Sequence, residues 1–327
     1  MAFIFPLFDG VVKMLHLQPM VKESFKTKIG VIGLGNMGRH HARLYSELKQ
    51  SELVAVCDID KTRVEEAEQM YGCKGYTRLE DMLAYEDLDA VSIIAPTFLH
   101  FSLAKTVIEQ GLHVLIEKPI AATNDEAKEL CQLAKTHGVI VCVGHIERFN
   151  PAIQALKAKL DTGFLGEIVS IETRRMSPMP QQIKDADVII DLAVHDIDIV
   201  TWLMGEAPQK VQAFNQKKQL KDRFDQADIA LQFSQASAKV LVSWLAPTRI
   251  RDVRIVGSKG LVELNYLTQK LSCFENETWT DIPLEKKEPL REELLHFLHC
   301  IQTQTQAMVN AEVGAEALKW CLEAAHA

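Results

Sequence analysis

The 327-residue sequence has no C-x-x-C pair, no internal repeat, no low-complexity segment and no run approaching the ~18 consecutive apolar residues of a membrane helix. Its seven cysteines (57, 73, 131, 142, 273, 300 and 321) are odd in number and widely scattered, which speaks against a disulfide framework and a thiolate zinc site. Reduced thiols in a cytoplasmic protein are the expectation. Positive charge is also short: 36 Lys and Arg against 44 Asp and Glu give a formal net charge of −8. Binding a phosphate polymer needs the opposite balance, so neither a nucleic acid nor a membrane is an expected partner. No secretory leader is expected either. The apolar opening around Phe3, Ile4, Phe5 and Leu7 meets Asp9 at once, has no cation before it and no small-residue cleavage site after it. Residues 1–27 read as an N-terminal extension outside the fold, with Met14 or Met20 as alternative starts, or as an ordered arm.

What is present suits a globular protein: 47% apolar and 24% charged residues, with length for about two domains of ~150 residues each. From Lys28 onward, apolar runs at 28–32, 53–57, 90–94, 113–116 and 140–143 alternate with amphipathic stretches near 37–49, 61–70, 98–110 and 124–137. Such alternation predicts parallel strands joined by helical crossovers. After Val143 the pattern changes. Helices are predicted at 151–160 and 188–204, strands at 168–174, 211–215, 228–233, 239–245, 252–256, 261–265 and 270–274, and two closing helices near 289–304 and 312–325. Strands that follow one another directly imply an antiparallel or mixed sheet. The expected fold is therefore α/β: an N-terminal Rossmann domain with a doubly wound parallel sheet at 28–148, and a C-terminal α+β domain with a large, mostly antiparallel sheet at 149–327. The last helix is free to pack back on the first domain. One face of the broad second sheet would be left as apolar surface, which a second subunit would cover in a homodimer or homotetramer.

The strongest motif is Gly33-Leu34-Gly35-Asn36-Met37-Gly38, between an apolar strand and a helix. Glycines at these places permit the tight turn, the approach of a pyrophosphate and close helix–strand packing. The N–H groups of Asn36, Met37 and Gly38 then face the phosphates. Asp58 follows the next strand, 20 residues after Gly38, where an acid accepts bonds from the adenosine ribose hydroxyls, with Ile59 beside it. A carboxylate there favours NAD over NADP, while Lys61 and Arg63 lie near enough in sequence to leave dual use open. Ala95, Pro96, Thr97 and His100, at the carboxyl edge of the fourth strand, are compatible with the nicotinamide channel and equally with a plain helix cap. The fifth strand ends in Glu117-Lys118-Pro119. A lysine at a ligand edge is either a solvated charge or one whose ammonium polarises a carbonyl. On a helix, Asp191, His195 and Asp198 share a face, so Asp191 could orient His195 for proton transfer; solvated acids beside a core histidine give the same pattern. The acids around His195, and the His296, His299 and Cys300 group, lack a full set of metal ligands, so no metal is expected.

With these motifs in order, residues 28–325 resemble the glucose-fructose oxidoreductase/inositol dehydrogenase/MocA family of sugar-directed dehydrogenases. The resemblance implies that Lys118, Asp191 and His195 serve the reacting hydroxyl. Gly144 through Pro151, Arg174 through Pro180, and Asp185 through Asp198 are similar to the nucleotide-sugar branch, enzymes that oxidise the C3 hydroxyl of UDP-N-acetylglucosamine or its uronic acid. That similarity implies substrate or nicotinamide contacts from Arg148, Asn150 and Arg174. Asp185-Ala186-Asp187 replaces a glycine-rich run common in relatives, and Ala193 a glycine within D-x-G-x-H, changes that bear on the loop and the sugar it admits. The alternatives are a dehydrogenase of a free cyclic polyol or monosaccharide of the inositol type, and a non-catalytic NAD-binding sensor, whose mark would be loss of the lysine or histidine.

Overall fold

A computed structural model describes residues 26–180 and 186–327; the expected extension, apart from Lys26 and Thr27, lies outside the described residues. The first unit runs β1 (Thr27–Ile32), α1 (Asn36–Glu47), β2 (Ser51–Cys57), α2 (Lys61–Tyr71), β3 (Lys74–Tyr76), α3 (Leu79–Tyr85), β4 (Ala90–Ile93), α4 (Thr97–Glu109), β5 (His113–Glu117), α5 (Asn124–His137) and β6 (Val141–Gly144). Its six strands pair in the order β3-β2-β1-β4-β5-β6, all parallel. The apolar runs of β1, β4 and β5 are buried because helices cover both sheet faces. The order reverses between β1 and β4, so a crevice opens at their carboxyl ends, where folds of this kind take ligands.

Beyond a 3-10 turn at Ile146–Phe149 come α6 (Pro151–Asp161) and β7 (Ile168–Met176), then a π-helical segment, Ile189–Ala193, that runs straight into α7 (Val194–Met204). The remaining elements are β8 (Lys210–Gln216), β9 (Gln226–Gln232), β10 (Ser237–Ser243), β11 (Ile250–Gly257), β12 (Leu261–Asn265), β13 (Lys270–Glu275), β14 (Thr278–Ile282), α8 (Pro289–Thr303) and α9 (Ala311–His326). The second sheet has the order β14-β13-β12-β11-β7-β10-β9-β8; β7 and β10 run parallel and the other pairs antiparallel. Period-2 alternation turns Ile171, Val240, Ile255 and Val262 inward, under the apolar flank of α7. The outward face differs from the expected apolar one. Arg174 pairs with Asp252, Arg254 with Glu263, and Lys270 with Asp281, although Val169, Phe214 and Trp279 stay exposed.

Two helices beyond residue 148 also pack on the first unit. Leu290, Leu294, Phe297 and Leu298 of α8 pack with Ile29, Val31 and Leu115 of the first sheet. In α9, Leu318 joins the core of the first unit, whereas Trp320, Cys321 and Ala324 join that of the second. A Cβ on Gly314 would lie 2.6 Å from Val143 of β6, so α9 crosses that strand in close contact. Among the described residues no helix is long and apolar enough to cross a membrane, and no group of three or more His, Cys, Asp or Glu could hold a metal ion.

Candidate active site

The loop after β1 is shaped by its glycines. Gly33 has φ +89°, and a Cβ there would lie 2.2 Å from the Ile94 carbonyl; on Gly38 it would lie 1.8 Å from the Gly33 carbonyl. Both contacts are with backbone, so only glycine lets β1 and α1 approach this closely. Gly35 is different, since a Cβ on it meets nothing within 4 Å. That open side, at the N-cap of α1 where no side chain satisfies the helix N–H groups, fits the pyrophosphate of a dinucleotide. Asp58 follows β2 directly, with Oδ2 accepting from Leu34 N at 2.6 Å and Oδ1 accepting from Asp60 N at 2.9 Å. Arg63 comes within 3.7 Å of it. Ile59 is 94% exposed, an apolar surface beside that carboxylate.

Two of the expected cofactor residues serve the scaffold. His100 is buried, its ring nitrogens 2.7 Å from the Pro119 carbonyl and 2.8 Å from the Ala95 carbonyl. It ties the loops after β4 and β5 together, and its ring does not line the crevice. Pro96 caps α4 and Thr97 begins it, with Ala95 half-buried at the same edge. Glu117 turns toward α1: its Oε2 accepts from Lys118 N at 3.0 Å, and Oε1 lies 3.5 Å from His41 Nε2. Burial would raise its carboxyl, but His41 and Lys118 more than offset this and hold it below the usual carboxylate range.

Lys118 reaches from β5 to the second unit, donating from Nζ to the Asp191 carbonyl at 2.9 Å and to its Oδ1 at 3.0 Å. Asp191 lies in the π segment, which the Asp187 carboxylate caps by accepting from Ile189 N and Ile190 N, each at 3.0 Å. Such segments are common at functional sites. His195 follows as the second residue of α7, with Nδ1 buried and without a partner. Burial, then the charges of Lys118, Arg175, His145 and Arg251, hold its ring well below the ordinary histidine range. It is thus a neutral base at neutral pH. Of the Asp191 carboxylate, expected to orient this imidazole, the structure shows the contact with Lys118. Asp198, expected on the same face, accepts instead from Arg148 Nε at 2.8 Å and Nη2 at 2.7 Å.

The three expected substrate contacts are likewise engaged elsewhere. Arg148 is buried in that Asp198 pair and stacks over Trp202 at 5.1 Å. Asn150 caps α6, accepting from Ala152 N at 3.1 Å and donating to the Tyr266 carbonyl at 3.2 Å. Arg174 is on the outward sheet face, bound to Asp252 at 2.8 and 2.7 Å. Its neighbour Arg175 has the inward position that sequence reasoning missed. Arg175 Nε donates to Asp196 at 2.6 Å and Nη1 to Glu147 at 2.8 Å, and the guanidinium lies over Tyr266. Strand alternation carried the signal, because of two adjacent arginines on one strand only one can face the site. His145, at the end of β6, was also missed; it is buried 3.7 Å from Asp198, with burial and the Arg148 and Lys118 charges lowering its proton affinity.

Comparison with known proteins bears on this arrangement. Residues 27–145 match the family model described as the oxidoreductase family, NAD-binding Rossmann fold, and residues 153–263 match the GFO/IDH/MocA C-terminal domain. The chain is 29% identical over 307 residues to the UDP-N-acetylglucosamine 3-dehydrogenase of Acidithiobacillus ferrooxidans, covering 90% of this chain and 95% of that one. It is 27% identical over 321 residues to the scyllo-inositol 2-dehydrogenase (NAD(+)) of Bacillus subtilis, covering 89% and 93%. A solved structure of the Acidithiobacillus ferrooxidans enzyme superposes with a TM-score of 0.86 at 29% identity, over 92% of this chain and 97% of that one. The scyllo-inositol dehydrogenase of Lactobacillus casei, solved with NAD(H) and scyllo-inositol, has a TM-score of 0.80 at 21% identity over 92% and 96%; it shares the fold.

Proposed function

The chain belongs to the GFO/IDH/MocA oxidoreductase family, and from that premise we propose that it oxidises the C3 hydroxyl of UDP-N-acetylglucosamine, or of a related UDP-sugar, to a ketone with NAD. The observation that carries the reading is the Lys118–Asp191 bridge, which fixes an ammonium beside a neutral His195 where the nucleotide-binding sheet meets the second unit. When bound, NAD supplies the hydride acceptor. His195 takes the hydroxyl proton, Lys118 holds the same oxygen and stabilises its developing charge, and Asp191 keeps Lys118 extended. The Gly33 to Gly38 turn holds the pyrophosphate and Asp58 the ribose hydroxyls. Asp58 favours NAD over NADP by repelling a 2′-phosphate, an effect that Arg63 at 3.7 Å partly offsets. Self-association through the second sheet, as a homodimer or homotetramer, belongs to the same proposal.

Similarity to inositol dehydrogenases supports a second reading, oxidation of a free cyclic polyol by the same residues. NADH formation, followed by its absorbance, separates the two. A rise on adding UDP-N-acetylglucosamine to enzyme and NAD is expected. A rise with inositol and none with any UDP-sugar would replace the first reading with the second.

A further inference from the structure

We propose that Arg251 is the docking point for an anionic group of the substrate whose hydroxyl reacts at Lys118 and His195; the proposal rests on the dehydrogenase reading above. Lys118, Arg175 and Arg251 all act on His195 through their charge. Two of them already hold carboxylates: Lys118 has Asp191 at 3.0 Å, and Arg175 has Asp196 at 2.6 Å and Glu147 at 2.8 Å. Arg251 is differently placed. Its ion-pair contact is Glu147 Oε1 at 3.7 Å, the oxygen that Arg175 holds more closely, and its Nε is buried without a partner.

The pairing register makes this costly. Arg251 of β11 stands directly opposite Arg175 of β7, where like charges repel. Burial and the Arg175 charge weaken the hold of Arg251 on its proton. Its side chain is 25% exposed on an interior strand of the sheet, so it is not sealed from solvent. An oxyanion arriving there would give the fork the bidentate partner it lacks and screen the repulsion from Arg175. A neutral hydroxyl offers only the hydrogen bond. Two anions meet the requirement, a carboxylate on the sugar and the diphosphate of a nucleotide-sugar.

The test is steady-state NADH formation by wild type, Arg251→Met and Arg251→Lys with UDP-N-acetylglucosamine, its C6 uronic acid, free glucuronate, free N-acetylglucosamine and myo-inositol. For Arg251→Met the ratio of kcat/KM between an anionic and a neutral sugar should fall about 10–100-fold, through KM. Arg251→Lys, which keeps the charge and loses the fork, should fall between. Dependence with UDP-N-acetylglucosamine marks the diphosphate, and dependence confined to the two uronic acids marks the carboxylate. If UDP-sugars are oxidised and the ratio does not move, the Arg251 proposal is overturned and the nucleotide-sugar reading stands. If glucuronate alone is oxidised in an Arg251-dependent way, the nucleotide-sugar reading falls and Arg251 keeps its role. Oxidation of neutral sugars only overturns both. NADH fluorescence titration and the thermal midpoint establish that each variant is folded; should Arg251→Met fail there, Arg251→Lys carries the same comparison.

Discussion

Two of the three N–H donors of the Lys118 ammonium are taken by Asp191, which leaves one for a substrate oxygen. Lys118→Met removes that donor and the local charge, and His195→Asn removes the base. Each should lower turnover by about 10²–10⁴-fold with NADH binding by fluorescence retained; turnover within a few-fold of wild type would remove the residue from the mechanism. The two differ in pH dependence. His195 is held well below the ordinary histidine value, first by burial and then by Lys118, so the acid limb of kcat/KM in the wild type should lie below ~6.5. Taking away a positive charge eases protonation, and the residual activity of Lys118→Met should show that limb moved upward. An unmoved limb would mean that the group titrating is not His195. Lys118 and His195 were legible because a lysine ending an apolar strand and a histidine in an apolar helix each stand out against their surroundings. Arg175 and Arg251 were not, since charged residues in strands look alike until the pleat and the pairing register say which face each takes.

At the scale of elements, the turn between β1 and α1 separates two roles for glycine. A Cβ on Gly38 would sit 1.8 Å from the Gly33 carbonyl, whereas one on Gly35 meets no protein atom within 4 Å. Gly38→Ala should therefore unfold or loosen the strand–helix junction and lower the thermal midpoint. Gly35→Ala should melt like the wild type and yet bind NADH at least about tenfold more weakly, because its methyl occupies space that suits the pyrophosphate. Equal NADH affinity in Gly35→Ala would place the dinucleotide elsewhere. This turn was readable because its spacing reports backbone geometry directly. Long apolar strands and amphipathic helices were readable for a similar reason, that burial imposes a period on them. β3 spans three residues, too few to show a period, and β14 is almost wholly exposed, so neither left a pattern. The π segment is invisible for another reason: residues 188–204 have helical spacing throughout, and the Lys118 contact that Asp191 makes within the widened turn comes from the other unit.

Across the whole molecule, α8 and α9 join the two halves, and α8 carries a group that works against the fold. Glu293 is fully buried and both carboxylate oxygens lack a partner. Burial, reinforced by the charge of Glu117, raises its carboxyl well above the usual value. A carboxyl whose folded pKa exceeds its unfolded one of about 4.5 leaves stability intact below that pH and reduces it as pH rises toward the folded value. The buried His145 and the half-buried His113, His195 and His296 act in the other direction, since desolvation lowers each of them. Their contribution is present above ~6.5 and is lost as pH falls below it. A substitution at 293 separates the two effects, because the histidines are common to both proteins. Glu293→Met keeps the volume, removes the carboxyl, and should stabilise by about 1–3 kcal/mol at pH 8, read as a higher midpoint in urea or heat. The gain over wild type should shrink as pH approaches 5, where the carboxyl of the unfolded chain takes up its proton as well. A gain that is independent of pH would show that the carboxyl titrates in the folded protein as it does in the unfolded chain, and a loss at pH 8 would show that Glu293 has a partner which stabilises its charge, with α8 then held to the first sheet by that contact as well as by Leu294 and Phe297.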